Sequence, residues 1–247
     1  IMTMHHSPEV QILAQYLPDR KKKSRGPKPI PKEALIYGLL FWLRTGCPWR
    51  YVPHSATIRR YFLELQRRGF LLKLMNNLFW YSYRPQKAII DATNINTWRG
   101  SPWSQYSGKY HNYCIKLTIV TTPLKELLDL SIDPGTVHDS RILNKFLYGW
   151  EKLPYELYAD KGYENYTRRR KLQRNNCQVR MEQKKYTKNR KRGPHFTFTY
   201  EHLKTRLNIE RHFGHFKRFS LFRFFRFRKI SVCKMALYCA LLLTFHH

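Results

Sequence analysis

The sequence predicts an α/β protein: a mixed five-stranded sheet flanked by helices, preceded by a small all-α domain of helix-turn-helix character. Three observations carry this reading. Residues 7 to 80 place apolar side chains at helical spacing and punctuate them with glycine and proline. After Pro85 the period drops to two, with Tyr113, Ile115, Leu117 and Ile119 alternating against Lys116 and Thr118. From there the segments run β-β-β-α-β-α-β and then a helix, an order that builds one sheet with helices packed on it. The expected domains are residues 1–80 and 81–247.

In the first part, "PEVQILAQYL" puts Val10, Leu13 and Leu17 on one helical face, and the basic linker "PDRKKKSRGPKPIP" follows. "KEALIYGLLFWLRTG" carries Leu35, Gly38, Leu39 and Trp42 on one face and stops at Gly46 before Pro48. "HSATIRRYFLELQRRG" has a candidate cap at Ser55, ends at Gly69, and bears Arg59, Arg60, Arg67 and Arg68. Two helices joined by a short turn, the second rich in arginine, fit a DNA-reading helix-turn-helix. They fit a plain helical bundle with solvated arginines equally well.

In the second part, "KAIID" is a strand ended by Asp91, and "YCIKLTIV" with "LLDLSI" is a hairpin turning at Pro123. "HDSRILNKFL" is a helix capped at "HDS", with Ile142, Leu143, Phe146 and Leu147 on its buried face. "YELYA" is a strand ended by Asp160, with Gly162 allowing a sharp turn into the helix "ENYTRRRKLQ". The strand "CQVRM" and the basic loop "EQKKYTKNRKRGPHF" come next, then a long helix from about Tyr200. "MALYCALLLTF", residues 235 to 245, is apolar but short of the roughly 20 residues a membrane span needs. It reads as a buried terminal helix.

The chain has 46 Lys and Arg against 16 Asp and Glu, a net charge of +30. Such a chain repels itself and calls for a polyanion, of which nucleic acid is the natural one. A membrane surface competes on charge alone, but neither a spanning segment nor the charged start and apolar stretch of a secretory signal is visible. The cysteines, at 47, 114, 177, 233 and 239, are odd in number and scattered, which suits a reducing cytoplasm. There is no Cys-x-x-Cys, and His212 and His215 have no partners at zinc-ligand spacing.

In so basic a chain each acid needs a reason. Asp91 and Asp160 end strands, and the carboxyl ends of strands line the ligand crevice of an open sheet. If the two strands are parallel neighbours, the carboxylates jointly hold divalent ions. Glu210 shares a helical stripe with Arg206, four positions before it, and Lys217, seven after. Two ions roughly 3.5 to 4 Å apart serve phosphodiester cleavage, activating one oxygen and stabilising the other. The bland alternatives are a capped turn at Asp91, an ordinary strand-to-helix turn at Asp160, and a surface ion pair between Arg206 and Glu210.

The blocks "IIDATNI", "YSGKYHNYCIKLTIV", "PGTVHDS", "YADKGYEN" and "RLNIERHFGHFKRF" resemble, in order, those of DDE transposases of the insertion-sequence-five family. "LRTGCPWRYVP" resembles that family's N-terminal signature. The resemblance implies an RNase H-like core with Asp91, Asp160 and Glu210 as a catalytic triad binding Mg²⁺ (or Mn²⁺). It implies cleavage at the element's ends and transfer of the freed 3′-hydroxyl to target DNA. The partners implied are double-stranded DNA, as terminal inverted repeats and as target, and a second copy in a homodimeric active complex, with no membrane. Arg206 and Lys217 fall on the arginine and lysine of the family's Tyr-Arg-Glu-Lys pattern, while Leu203 stands where the family often has Tyr. DNA contacts are expected from these two, from Arg59, Arg60, Arg67 and Arg68, and from the loop residues Lys184, Lys185, Lys188, Arg190, Lys191 and Arg192. Lys161 and Tyr163 are expected near the bound backbone. His138 and Asp139 are weaker candidates. Two rival readings remain: a transposase-derived DNA-binding protein without chemistry, and a metal-dependent nuclease that cannot join strands.

Overall fold

A computed structural model of the chain describes residues 7–20, 28–79, 85–99, 101, 103–108, 111–181, 199–224 and 226–245. The basic loop that holds Lys184 to Arg192 lies outside the described residues. Contacts divide the chain into two units, a helical one of Ile1–Leu78 with Phe216–His247, and a sheet unit of Phe79–His215.

The helical unit begins with α1 (Pro8–Tyr16), α2 (Lys32–Thr45), α3 (Ser55–Arg67) and α4 (Phe70–Phe79). Helix α2 ends at Gly46, whose φ of 66° is a left-handed conformation glycine adopts without strain. The connection from α2 to α3 covers residues 46–54 and contains a 3-10 turn, Trp49–Tyr51. That is longer than the three or four residues of a helix-turn-helix. Its reason is packing: the Trp49 ring stacks on Trp42 with centroids 4.1 Å apart. The tight turn comes one element later, at Arg68 and Gly69 between α3 and α4. Ser55 is the first helical residue of α3 and not its cap, which is His54 at φ 55°.

The sheet unit contains β1 (Lys87–Asn96), β2 (Gln105–Ser107), β3 (Asn112–Thr121), β4 (Leu127–Pro134), α5 (Asp139–Gly149), β5 (Glu156–Ala159), α6 (Tyr166–Arg174), β6 (Gln178–Arg180) and α7 (Tyr200–Phe216). The main path of the sheet is β4-β3-β1-β5-β6, antiparallel from β4 to β1 and parallel from β1 to β6. The five expected strands are present, and a sixth, the three-residue β2, adds to the start of β3. Successive side chains on a strand face opposite ways, so Ala88, Ile90, Leu157, Ala159 and Val179 turn to one face. There they form a buried cluster with Ile142, Leu143 and Phe146 of α5 and Leu172 of α6. The N-cap of α5 is His138, whose ring Nδ1 accepts from Ser140 N at 3.2 Å.

The chain then returns to the helical unit with α8 (Ser220–Phe224) and α9 (Ile230–Phe245). Helix α8 packs on α2, and α9 packs on α3. Residues 235–243 are all buried, as expected for a helix that is apolar all round. Residues 216–247, expected to belong with the sheet, therefore group with the N-terminal helices. Among the described residues no helix is long and apolar enough to cross a membrane.

Candidate active site

The parallel ladder of β1 and β5 ends with Ile90 opposite Ala159, which makes Asp91 and Asp160 the next residue on each strand. Asp91 does not end β1. The strand runs five residues further, held by β3, with Asp91 opposite Ile119 and Asn96 opposite Cys114. What ends at Asp91 is the pairing with β5, so its carboxylate stands where one strand leaves the other. Because Ile90 and Ala159 face α5 and α6, Asp91 and Asp160 face the other way, where α7 lies. There the rings of Tyr158 and His202 approach with centroids 5.7 Å apart, and Arg206 Nη1 stands 3.9 Å from Asp160 Oδ1. Glu210 follows Arg206 by one helical turn.

The electrostatics of Asp91 report this gathering. Burial pushes its pKa up to about 6; the hydrogen bond from Ala92 N, at 2.8 Å, and the Arg206 guanidinium pull it down, while Asp160 and Glu210 raise it. Its carboxylate thus sits in the field of the three other residues singled out at this site. Asp160 is the more open of the two strand acids, with 47% of its side chain exposed, and Glu210 is exposed on α7. Among the described residues no three Asp, Glu, His or Cys side chains stand close enough together to hold one metal ion. Two carboxylates are adjacent and the third faces them from the helix.

A second layer lies around the turn that follows Asp160. Lys116 on β3 donates to Asp139 Oδ1 at 2.7 Å and to the carbonyl of Val137 at 2.7 Å, tying the start of α5 to the sheet. The other Asp139 oxygen packs on the 3-10 turn Lys161–Tyr163: a Cβ on Gly162 would lie 2.8 Å from Asp139 Oδ2. Gly162 is there for this close approach, since its φ is not left-handed. Tyr163 is buried at 1% exposure, so it is no DNA contact; burial, then Asp139 and Asp91, push its pKa well up. Its hydroxyl and that of Thr118 are both buried, and Thr118 pulls the pKa back down. Lys161 is exposed. In sequence the "HDS" block, Lys161, Gly162 and Tyr163 stood out singly and not as one layer, because its contacts join residues 23 positions apart.

The remaining expected DNA contacts are spread out. Lys217 is the first residue past α7, which ends at Phe216, and it groups with the helical unit. Arg59, Arg60 and Arg67 are exposed on α3, while Arg68 lies past its end and is ion-paired with Glu64. His212 is buried in α7, and burial, then Lys125 and His215, hold its pKa down at about 4. It is neutral at physiological pH.

Comparison with known proteins fits this arrangement. No curated protein sequence matches the chain. Among solved structures, the cryo-EM structure of a piggyBac transposase synaptic complex with hairpin DNA superimposes with a TM-score of 0.57 at 10% identity, over 100% of this chain and 71% of that one. The crystal structure of the Mos1 strand transfer complex overlaps at a TM-score of 0.27 and 10% identity, over 93% and 82%, too weakly to carry an argument. The first likeness is one of fold, and with the β4-β3-β1-β5-β6 order it identifies the sheet unit as RNase H-like. A family model for transposases of the IS4/5 family matches residues 8–75. A second, the transposase DDE domain, matches residues 82–245, well over half the chain. On these two matches, the chain belongs to the DDE-domain transposases of the IS4/5 type.

Proposed function

We propose that the chain cleaves phosphodiesters at the ends of an insertion sequence and transfers the freed 3′-hydroxyl to target DNA, with Mg²⁺ or Mn²⁺ at Asp91, Asp160 and Glu210. The observation that carries this reading is the adjacency of Asp91 and Asp160 at the end of the β1–β5 ladder, faced by α7. The donors fit such an ion, because all are hard carboxylate oxygens. Asp91 fits too, since its raised pKa marks a buried carboxylate short of positive charge. A divalent ion bound there supplies the charge that stabilises the attacking and leaving oxygens of a phosphodiester. Asp91 and Asp160 form the floor of the site, and Glu210 completes it from α7. Arg206 is suited to the oxygens of the scissile phosphate, which its planar fork matches in shape and charge. The Lys116–Asp139 pair fixes the turn that carries Asp160. Arg59, Arg60, Arg67, Lys217 and the basic loop hold the duplex, with a second copy of the chain bringing the two element ends together in the cytoplasm.

The test is incubation of the full chain with duplexes carrying the inverted repeats that flank its gene, in Mg²⁺. Nicking and strand joining are expected. Asp91→Ala or Asp160→Ala should abolish both and leave affinity nearly unchanged, because affinity comes from Lys and Arg. Wild-type cleavage by either variant would remove the triad. A second reading, DNA binding without chemistry, draws on the Arg206–Asp160 pair and on the lack of a three-ligand cluster among the described residues. A wild-type chain that binds the repeats and never nicks them would establish that reading instead.

A further inference from the structure

Helix α6 reads "YTRRRKLQR", five cations and no acid in nine residues. Its arginines and lysine do two different jobs. Arg169 turns inward, 3.4 Å from Glu164 Oε1 and 2.7 Å from the carbonyl of Met181, and Arg168 donates to Asn144 Oδ1 at 2.6 Å. These two fasten the helix down. Arg170, Lys171 and Arg174 are exposed and make no ion pair with any described carboxylate.

Two of the three outward cations are held over aromatic rings. Arg170 lies 5.4 Å from the ring centre of Tyr166, and Lys171 lies 5.3 Å from that of Tyr148 on α5. Tyr148 is 82% exposed, a large ring left in water by its own fold. Its position makes sense as a support: a cation resting on a ring face has already given up part of the side-chain entropy that anion binding would cost. Between α5 and α6 runs a groove of about 730 Å³, lined by Lys152, Arg168 and Lys171 against one acid, Glu151, with amides from Asn144 and Asn175. Of the three outward cations Lys171 lines it, while Arg170 and Arg174 are exposed on the same helix outside its lining. Both helices begin at the end of the sheet where Asp91 and Asp160 stand, and run back from it. The groove, lined by α6 and by α5 from Asn144 onward, lies on the face of the sheet opposite α7.

We propose that the exposed cations of α6, with the α5–α6 groove beside them, form a second DNA track, holding the phosphodiester backbone of duplex DNA without regard to sequence; this rests on the reading of the chain as a DNA-processing enzyme. A nine-residue helix is about 13 Å long and passes three or four phosphates of one strand. Cations and amides on such a face meet phosphate oxygens, which are the same for every sequence. None of these residues stood among the DNA contacts expected from the sequence.

The test uses the full chain with Arg170, Lys171 and Arg174 changed together to Gln, leaving Arg168 and Arg169 in place. Affinity for two unrelated duplexes is measured against salt concentration, alongside the melting temperature. The slope of log affinity against log salt should flatten by about 2 to 3 on both duplexes, at about 0.9 for each phosphate no longer neutralised. Arg170→Lys with Arg174→Lys should keep the wild-type slope. Should the triple variant melt early, the single Gln variants carry the same reading in steps of about 0.9. An unchanged slope overturns the track, and so does a weakening confined to one duplex, which would mean base readout. A changed oligomeric state without DNA, at full slope, also overturns it and makes the face a protein interface. Nicking is scored on the same preparations. A wild type that never nicks, with a slope that falls in the variant, removes only the enzymatic reading; one that nicks, with no change of slope in the variant, removes only the track.

Discussion

On β1, Ala88 and Ile90 turn to α5 and α6 and are sealed from water, while Asp91, the next residue, turns to α7 and keeps a carboxylate. On β5 the same step separates Ala159 from Asp160. One face of the sheet is thus a closed apolar layer, and the other carries charge over the same strands. The difference shows how a fold tolerates a costly site. The apolar face supplies the stability that lets two like charges stand side by side one residue further on.

That comparison predicts separable failures. The largest effect on stability should come from the apolar face: Leu143→Ala, at a fully buried position, should cost about 3 kcal/mol in urea unfolding. A midpoint equal to that of wild type would mean that α5 does not close the core. Next is Asp91→Asn, which should stabilise the ion-free protein. The folded pKa of Asp91, about 6, lies above the 3.8 of a free aspartate, so wild type loses stability as pH rises between those values. The variant should therefore be more stable above about pH 6, by up to about 3 kcal/mol, with the gain fading to nothing near pH 4. A pH-independent difference would mean that Asp91 is not strained by burial.

Glu210→Asp comes third. It pulls one carboxylate back by a methylene and should slow cleavage about a hundredfold while leaving the melting temperature alone. Full activity in that variant would return Glu210 to the role of a surface acid. The smallest effect should be that of Gly162→Ala. Its new methyl group displaces the Asp139 carboxylate, costing about 1 kcal/mol and slowing cleavage several-fold. Adding Asp139→Ala to it should cost less than the sum of the two changes, because each disturbs the same packing. Strict additivity would show that the two residues do not touch.

Local patterns disclosed most of the sheet unit. The alternation of Ile115 and Leu117 against Lys116 and Thr118 gave the hairpin, and "KAIID" with "YELYA" gave the two strands whose acids meet. The length of β1 was hidden, because Asn94 and Asn96 look like loop residues and are held in the strand only by Lys116 and Cys114 across the ladder. The nine-residue link before α3 was hidden for a similar reason, the stacking of Trp49 on Trp42. Gly162 was noticed but given a turn as its reason, since nothing nearby in sequence announces the carboxylate of Asp139. The grouping of α9 with α3 was not legible either, because an all-round apolar helix says that it is buried and not where.

The sheet unit interrupts the helical unit, so the chain leaves the ribosome in an order that matters. Helix α3, with its exposed arginines, emerges early, yet the helix that covers its apolar side is made roughly ten to thirty seconds later. The helical unit completes its core only after the whole sheet unit has been synthesised. A polypeptide released before α9 would keep the arginines and leave the apolar side of α3 uncovered, and exposed apolar surface of that kind promotes aggregation. Chain order thus ties the finishing of the helical unit to synthesis of the sheet unit.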